Sequence, residues 1–154
     1  MADRHTGAMT SQTPVEIVTV FLDDLARGDL TRALENVDDD VAYTNVSFPT
    51  SYGKRRMAKL FEPMNRPSLG FNYRMINVGD NGPVVLTERI DELTFGRLVM
   101  QFWVCGRFEI AEGRIVVWRD YFDYFDMTKA LLRGIAAMIV PSVQKPLPSP
   151  APAV

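Results

Sequence analysis

The constraint that narrows this chain most is the spacing of its second half. Four strand-like stretches, 71–78, 84–95, 98–110 and 114–125, follow one another with almost nothing between them. The links are Gly79/Asp80/Asn81/Gly82, Gly96 and Glu112-Gly113, all turn formers. Links this short join antiparallel neighbours, because a parallel crossover needs a dozen residues or more. The first half has a different grammar. Thr13 and Glu16 have capping-box spacing around Pro14, and Val15, Val18, Leu22 and Leu25 mark one face of a helix that Gly28 can end. Asp29 can cap a second helix with Leu30, Ala33, Leu34 and Val37 inward. A strand is expected at 40–46, and residues 54–62 read as a third helix closed by Pro63 and Pro67. Helices first and a strand meander afterwards predict an α+β fold, with helices against one face of a curved sheet. Residues 127–139 read as a last helix, for which Asp126 is the expected cap.

The ends read differently. Residues 1–12 are small and polar, without the apolar core of a signal peptide, and are expected to be a disordered leader. The stretch 141–154 holds five of the ten prolines and is expected to be a disordered tail. The expected single domain is therefore 13–140, and a cytoplasmic location is expected. No apolar run reaches the ~18 residues of a membrane span. A net charge of −2 leaves no basic footprint for nucleic acid.

Two residue counts limit the chemistry. The single cysteine, Cys105, excludes an intrachain disulfide and a cysteine-based zinc cluster. The single histidine, His5, lies in the leader, which excludes most Ser-His and Cys-His machinery and histidine-rich metal sites. Carboxylates, Arg and Tyr must then carry any catalysis.

Alternation along the strands picks out which ones. On 84–95, Val85, Thr87, Arg89, Asp91, Leu93 and Phe95 share a face, so Arg89 and Asp91 project together from mostly apolar company. On 114–123, Asp120 shares a face with Val116, Trp118 and Phe122. A buried carboxylate is costly unless paired or hydrogen-bonded. If that face is inside, two acids and an arginine meet in an apolar pocket. If it is outside, Arg89 and Asp91 are a surface pair and Asp120 a rim residue, and the pattern alone leaves both open. Tyr43 and Asn45 share a face of the 41–47 segment and can hydrogen-bond one water, or stand at a polar strand edge. Cys105 reads as a core residue, Phe102, Trp103, Trp118, Phe122 and Phe125 as core with some of them open to lining a pocket, and Lys54/Arg55/Arg56 as a solvated helix start or, alternatively, a phosphate contact.

Three motifs in order, Tyr43-Thr44-Asn45, Glu88-Arg89-Ile90-Asp91 and Trp118-Arg119-Asp120-Tyr121-Phe122-Asp123, resemble the limonene-1,2-epoxide hydrolase family. The stretch Phe48–Gly53 fits as well, and the resemblance covers about residues 13–126. It implies the cone-shaped fold shared with nuclear transport factor 2 and ketosteroid isomerase, a curved mixed sheet and N-terminal helices enclosing a deep apolar pocket. It also implies one-step hydration of an epoxide without metal or cofactor. Asp120 would be the general base, Tyr43 and Asn45 the water holders, Asp91 the general acid and Arg89 the bridge between the acids. A homodimer is implied, and the apolar lining favours a terpene, sterol or lipid epoxide. The competing readings are a proton-transfer isomerase or polyketide cyclase on the same fold, which leaves Arg89 and the second acid without a task, and a non-catalytic binding module.

Overall fold

The computed structural model describes residues 12–149; the expectations for residues 1–11, His5 included, and for 150–154 lie outside the described residues. Helix α1 spans Pro14–Ala26, and its capping box forms as the sequence requires: Glu16 N donates to Thr13 Oγ1 at 3.2 Å and Thr13 N to Glu16 Oε2 at 2.7 Å. Gly28 supplies the left-handed turn, φ 76°, that ends it. Asp29 caps α2, Leu30–Glu35. Val37, expected on the inner face of that helix, is instead the first residue of strand β1, Val37–Asn45, and is fully buried there. A two-residue strand β2, Ser51–Tyr52, follows, then α3, Lys54–Phe61.

Strands β3 (Leu69–Asn81), β4 (Val84–Phe95), β5 (Leu98–Ala111) and β6 (Arg114–Phe122) form the antiparallel meander. With β1 and β2 they make one sheet in the order β2-β1-β6-β5-β4-β3. The sheet is mixed, since β1 runs parallel to β6. The connection between these two strands includes the rest of the meander, which lets them pair in parallel without a short crossover.

The last helix, α4, spans Tyr124–Ile139. It starts three residues before the expected Met127 because Asp123, not Asp126, is its cap: Asp123 Oδ1 accepts from Phe125 N at 2.7 Å and from Asp126 N at 3.1 Å. β6 accordingly stops at Phe122, short of the expected 125. A single helical turn, Pro141–Val143, follows where an irregular tail is expected.

Both apolar clusters lie on one face of the sheet. The larger joins Ile17, Val18, Phe21 and Leu22 of α1 to Val41, Val85, Phe108 and Trp118. The smaller joins Ala130 and Met127 of α4 to Phe102 and Val104. Glycine seats that helix: a Cβ on Gly134 would stand 2.5 Å from Val99 O. The opposite face of the sheet is left uncovered by the described residues. Two residues that the sequence reading takes as core lie on it, Trp103 at 39% exposure and half-buried Cys105. Alternation puts both on the far side of β5 from Phe102, away from the helices. A third, Phe125, stands on α4 and is 72% exposed.

Candidate active site

Register decides which face the polar residues occupy. Arg89 opposes Val104 and Asp91 opposes Phe102 across β4 and β5, while Gly106 of β5 opposes Asp120 of β6. The inner side chains of all three strands therefore converge. Arg89 is fully buried, and Asp91 and Asp120 are 6% and 5% exposed. Arg89 Nε donates to Asp91 Oδ1 at 2.7 Å and Nη2 to Asp91 Oδ2 at 3.2 Å. Nη2 also reaches Asp120 Oδ2 at 2.5 Å, and Nη1 donates to Thr87 Oγ1 at 3.0 Å. One guanidinium thus bridges two acids, as alternation proposes if that face is inside.

Two neighbours of this bridge escape the sequence reading. Trp118, two residues before Asp120 on the same face, donates its Nε1–H to Asp120 Oδ1 at 2.8 Å. Both oxygens of Asp120 therefore have a donor. Gly106 is the second omission. A Cβ there would collide with Arg89 Nη1 and stand 2.6 Å from Thr87 Oγ1 and 3.0 Å from Asp120 Oδ1, so the bridge fills the space a side chain would need. A glycine inside a strand is a sequence signal for such close approach.

Above the bridge lies a cavity of about 140 Å³. Its polar lining is Tyr43, Asn45, Asp91 and Asp120, and its apolar lining includes Phe61, Phe71, Phe102, Trp118, Phe122 and Met127. Arg89 does not line it; the guanidinium sits beneath, against the carboxyls. Tyr43 is buried beside Trp118, ring centroids 4.6 Å apart. Asn45 sits opposite Asp120 in the parallel β1–β6 register. All five residues singled out from sequence are thus brought together, four on the cavity wall and one behind it.

Burial and charge compete here. Burial pushes Asp91 up to about 6 although Arg89 opposes it, and the charge of Asp120 adds to the rise. Burial likewise raises Asp120 above the usual carboxylate range against the pull of Arg89 and Trp118. Burial disfavours the charge on Arg89, but the two acids outweigh it and hold the guanidinium protonated. Burial, then the charge of Asp120, lifts the Tyr43 phenol, so it remains a neutral O–H donor. Among the described residues, no three His, Cys, Asp or Glu side chains group to hold a metal ion. Chemically, the site offers a carboxyl that can give a proton, a carboxylate that can take one, and an apolar space between them.

A model of the limonene-1,2-epoxide hydrolase catalytic domain matches residues 12–133. Epoxide hydrolase EphG of Mycobacterium tuberculosis is 45% identical over 130 residues, 84% of this chain and 87% of that protein. The solved structure of an M. tuberculosis LEH-like epoxide hydrolase superposes with a TM-score of 0.83 at 44% identity, over 87% of this chain and 95% of that one. An NTF2-like protein of Burkholderia thailandensis E264 has a TM-score of 0.65 at 18% identity, over 77% of this chain and 97% of its own, and shares the fold.

Proposed function

The chain belongs to the limonene-1,2-epoxide hydrolase family and is an epoxide hydrolase, and on that premise we propose that it adds water to a hydrophobic epoxide in one step. The observation that carries this reading is the guanidinium held between two buried carboxyls at the floor of an apolar cavity. Asp120 is the general base and Asp91 the general acid. Register supports that order: Asn45 stands beside Asp120, so a water held by Asn45 and Tyr43 lies against that carboxylate, while Asp91 on β4 is three strands from Asn45.

The water oxygen attacks an epoxide carbon and its proton passes to Asp120. The C–O bond breaks as its oxygen takes the proton of Asp91, and the product is a vicinal diol. The step leaves Asp120 protonated and Asp91 ionised; proton exchange with solvent resets them. Water is a poor nucleophile and an alkoxide a poor leaving group, so each positioned proton transfer is worth roughly 10²–10⁴-fold. Arg89 stands behind the cavity wall and acts through the carboxyls. It keeps one acid ionised while burial keeps the other neutral.

The cavity is smaller than the ~300–1,000 Å³ of a pocket that swallows a drug-sized ligand. It takes the epoxide end of a terpene, sterol or lipid oxide, the rest of which extends past Phe122 and Met127. Removal of such reactive lipid oxides in the cytoplasm is the role this specificity suits. The uncovered sheet face is taken as the surface of a homodimer.

A single turnover in oxygen-18 water, with enzyme in excess, tests the mechanism. Direct attack puts the label in the first diol and none in the protein. An aspartyl ester route would give an unlabelled first diol and label Asp91 or Asp120 instead. Asp120→Asn and Asp91→Asn should each lower kcat/KM by at least about 10²-fold, since each removes one transfer. Substantial turnover by Asp120→Asn would end the assignment.

A further inference from the structure

Helix α4 does more than close the cavity. Its inner side, Ala130 and Gly134, is seated on β5, and Met127 lines the cavity. Its outer side carries Phe125, Leu132, Ile135 and Ile139, exposed by 72, 62, 42 and 82%. At about 100° per residue these four fall within about 80° of arc, an apolar stripe facing away from the protein. Lys129 and Arg133 border the stripe on one side. Arg97 reaches the end of the helix, its Nη2 donating to Met138 O at 2.9 Å. The only carboxylate of the helix, Asp126, lies off the stripe and is engaged by Trp103 N at 3.1 Å and Lys129 Nζ at 3.2 Å. In a chain of net charge −2, the three cations and one carboxylate of this helix and its end leave a net +2.

We propose that this face of α4 docks on an anionic lipid bilayer and so brings the enzyme to epoxides dissolved there. An apolar stripe with a basic border is the pattern of helices that lie in the membrane interface. The idea rests on the reading of the substrate as a hydrophobic epoxide, which concentrates in lipid rather than water. A second copy of the chain is a poorer occupant. An antiparallel two-fold contact over the stripe would bring Lys129 and Arg133 of both copies to one seam, with only Asp126 of each copy to offset them. The helix is 16 residues, about 24 Å long, enough to lie along a surface.

The test is co-sedimentation of the full chain with vesicles of phosphatidylcholine alone or mixed with phosphatidylglycerol. The expected result is binding to the mixed vesicles that weakens with salt, and at least about tenfold weaker binding by Leu132→Gln/Ile139→Gln. That variant should hydrolyse a water-soluble epoxide like the parent and lose rate only on an epoxide carried in vesicles. No sedimentation with mixed vesicles, or equal binding by the variant, would overturn the proposal. So would a change in the variant's oligomeric state, which would make a second copy the occupant. Stripe-dependent vesicle binding without turnover of any epoxide would uphold docking and overturn the substrate reading.

Discussion

A guanidinium carries one charge, and at this site it faces two buried carboxyls. It can compensate one carboxylate, which favours a proton on the other. The sign of the pH dependence follows. Asp91 must carry a proton to act as acid, and burial places its titration at about 6, so kcat/KM should fall as pH rises through about 6. Asp120 must be ionised to act as base, so uptake of a proton there would also lower the rate. The pH profile of wild type against Asp91→Asn checks this: the variant's residual rate should lack the limb near 6. Gly106 supports the same arrangement by leaving room for it. Gly106→Ala would drive a methyl into Arg89 Nη1, and the bridge must shift to admit it. We expect a stability loss of about 1–3 kcal/mol by thermal melting, with kcat down roughly 10²-fold from misplaced carboxyls. A Gly106→Ala variant with unchanged kcat would show that the bridge tolerates displacement. Arg89, Asp91 and Asp120 are legible in the sequence because each breaks an apolar alternation within its own strand. Gly106 is signalled only as a glycine inside a strand, because what it approaches depends on which residue of one strand opposes which of the next; the Trp118 hydrogen bond lies within β6, but sequence spacing does not fix which way the indole turns.

Elements are legible where local chemistry decides them. The ends of α1 follow from Thr13, Glu16 and Gly28, and β4 from its turn-bounded alternation over 84–95. The β6–α4 junction departs from the sequence reading for a physical reason. The run YFDYFD is rich in strand-favouring aromatics and offers two aspartates as caps. The choice between them is tertiary: Asp126 is occupied by the backbone N–H of Trp103 on β5, which leaves Asp123 to cap. The tail's Pro141–Val143 turn and strand β2 have equally little local signal. The seating of α4 gives a prediction at this scale. Gly134→Ala would set a methyl against the carbonyl of Val99, 2.5 Å away, and backbone cannot yield as a side chain does. The helix must lift from β5, taking Met127 from the cavity wall. We expect KM for a hydrophobic epoxide to rise several-fold, with kcat less affected because the Arg89 bridge is untouched, and a lower thermal midpoint.

At the scale of the whole molecule the sheet has one covered and one open face. The helices and both apolar clusters sit on the cavity side. The other side presents Leu86, Trp103 and Tyr121, exposed by 58, 39 and 40%, with Ile90 and Cys105 between them in register. These residues lie on three adjacent strands, contiguous rather than scattered, with Arg107 opposite Leu86 on the same face, and such patches mark interfaces. Glu88 is also in this patch, but it is not a free charge: it accepts from Trp103 Nε1 at 3.0 Å and from Asn77 Nδ2 at 2.5 Å. A two-fold pairing of this face would bury the patch against itself and leave both cavities and both α4 stripes open. Sedimentation at micromolar concentration should therefore give a dimer. Leu86→Glu/Tyr121→Glu should give a folded monomer, because each copy would then bring like charges to the same seam. Cys105 supplies an independent readout. It is half-buried on this face, so a thiol reagent should react with it slowly in the dimer and faster in the double variant. A monomeric wild type, or equal reactivity in both proteins, would mean that this face does not pair.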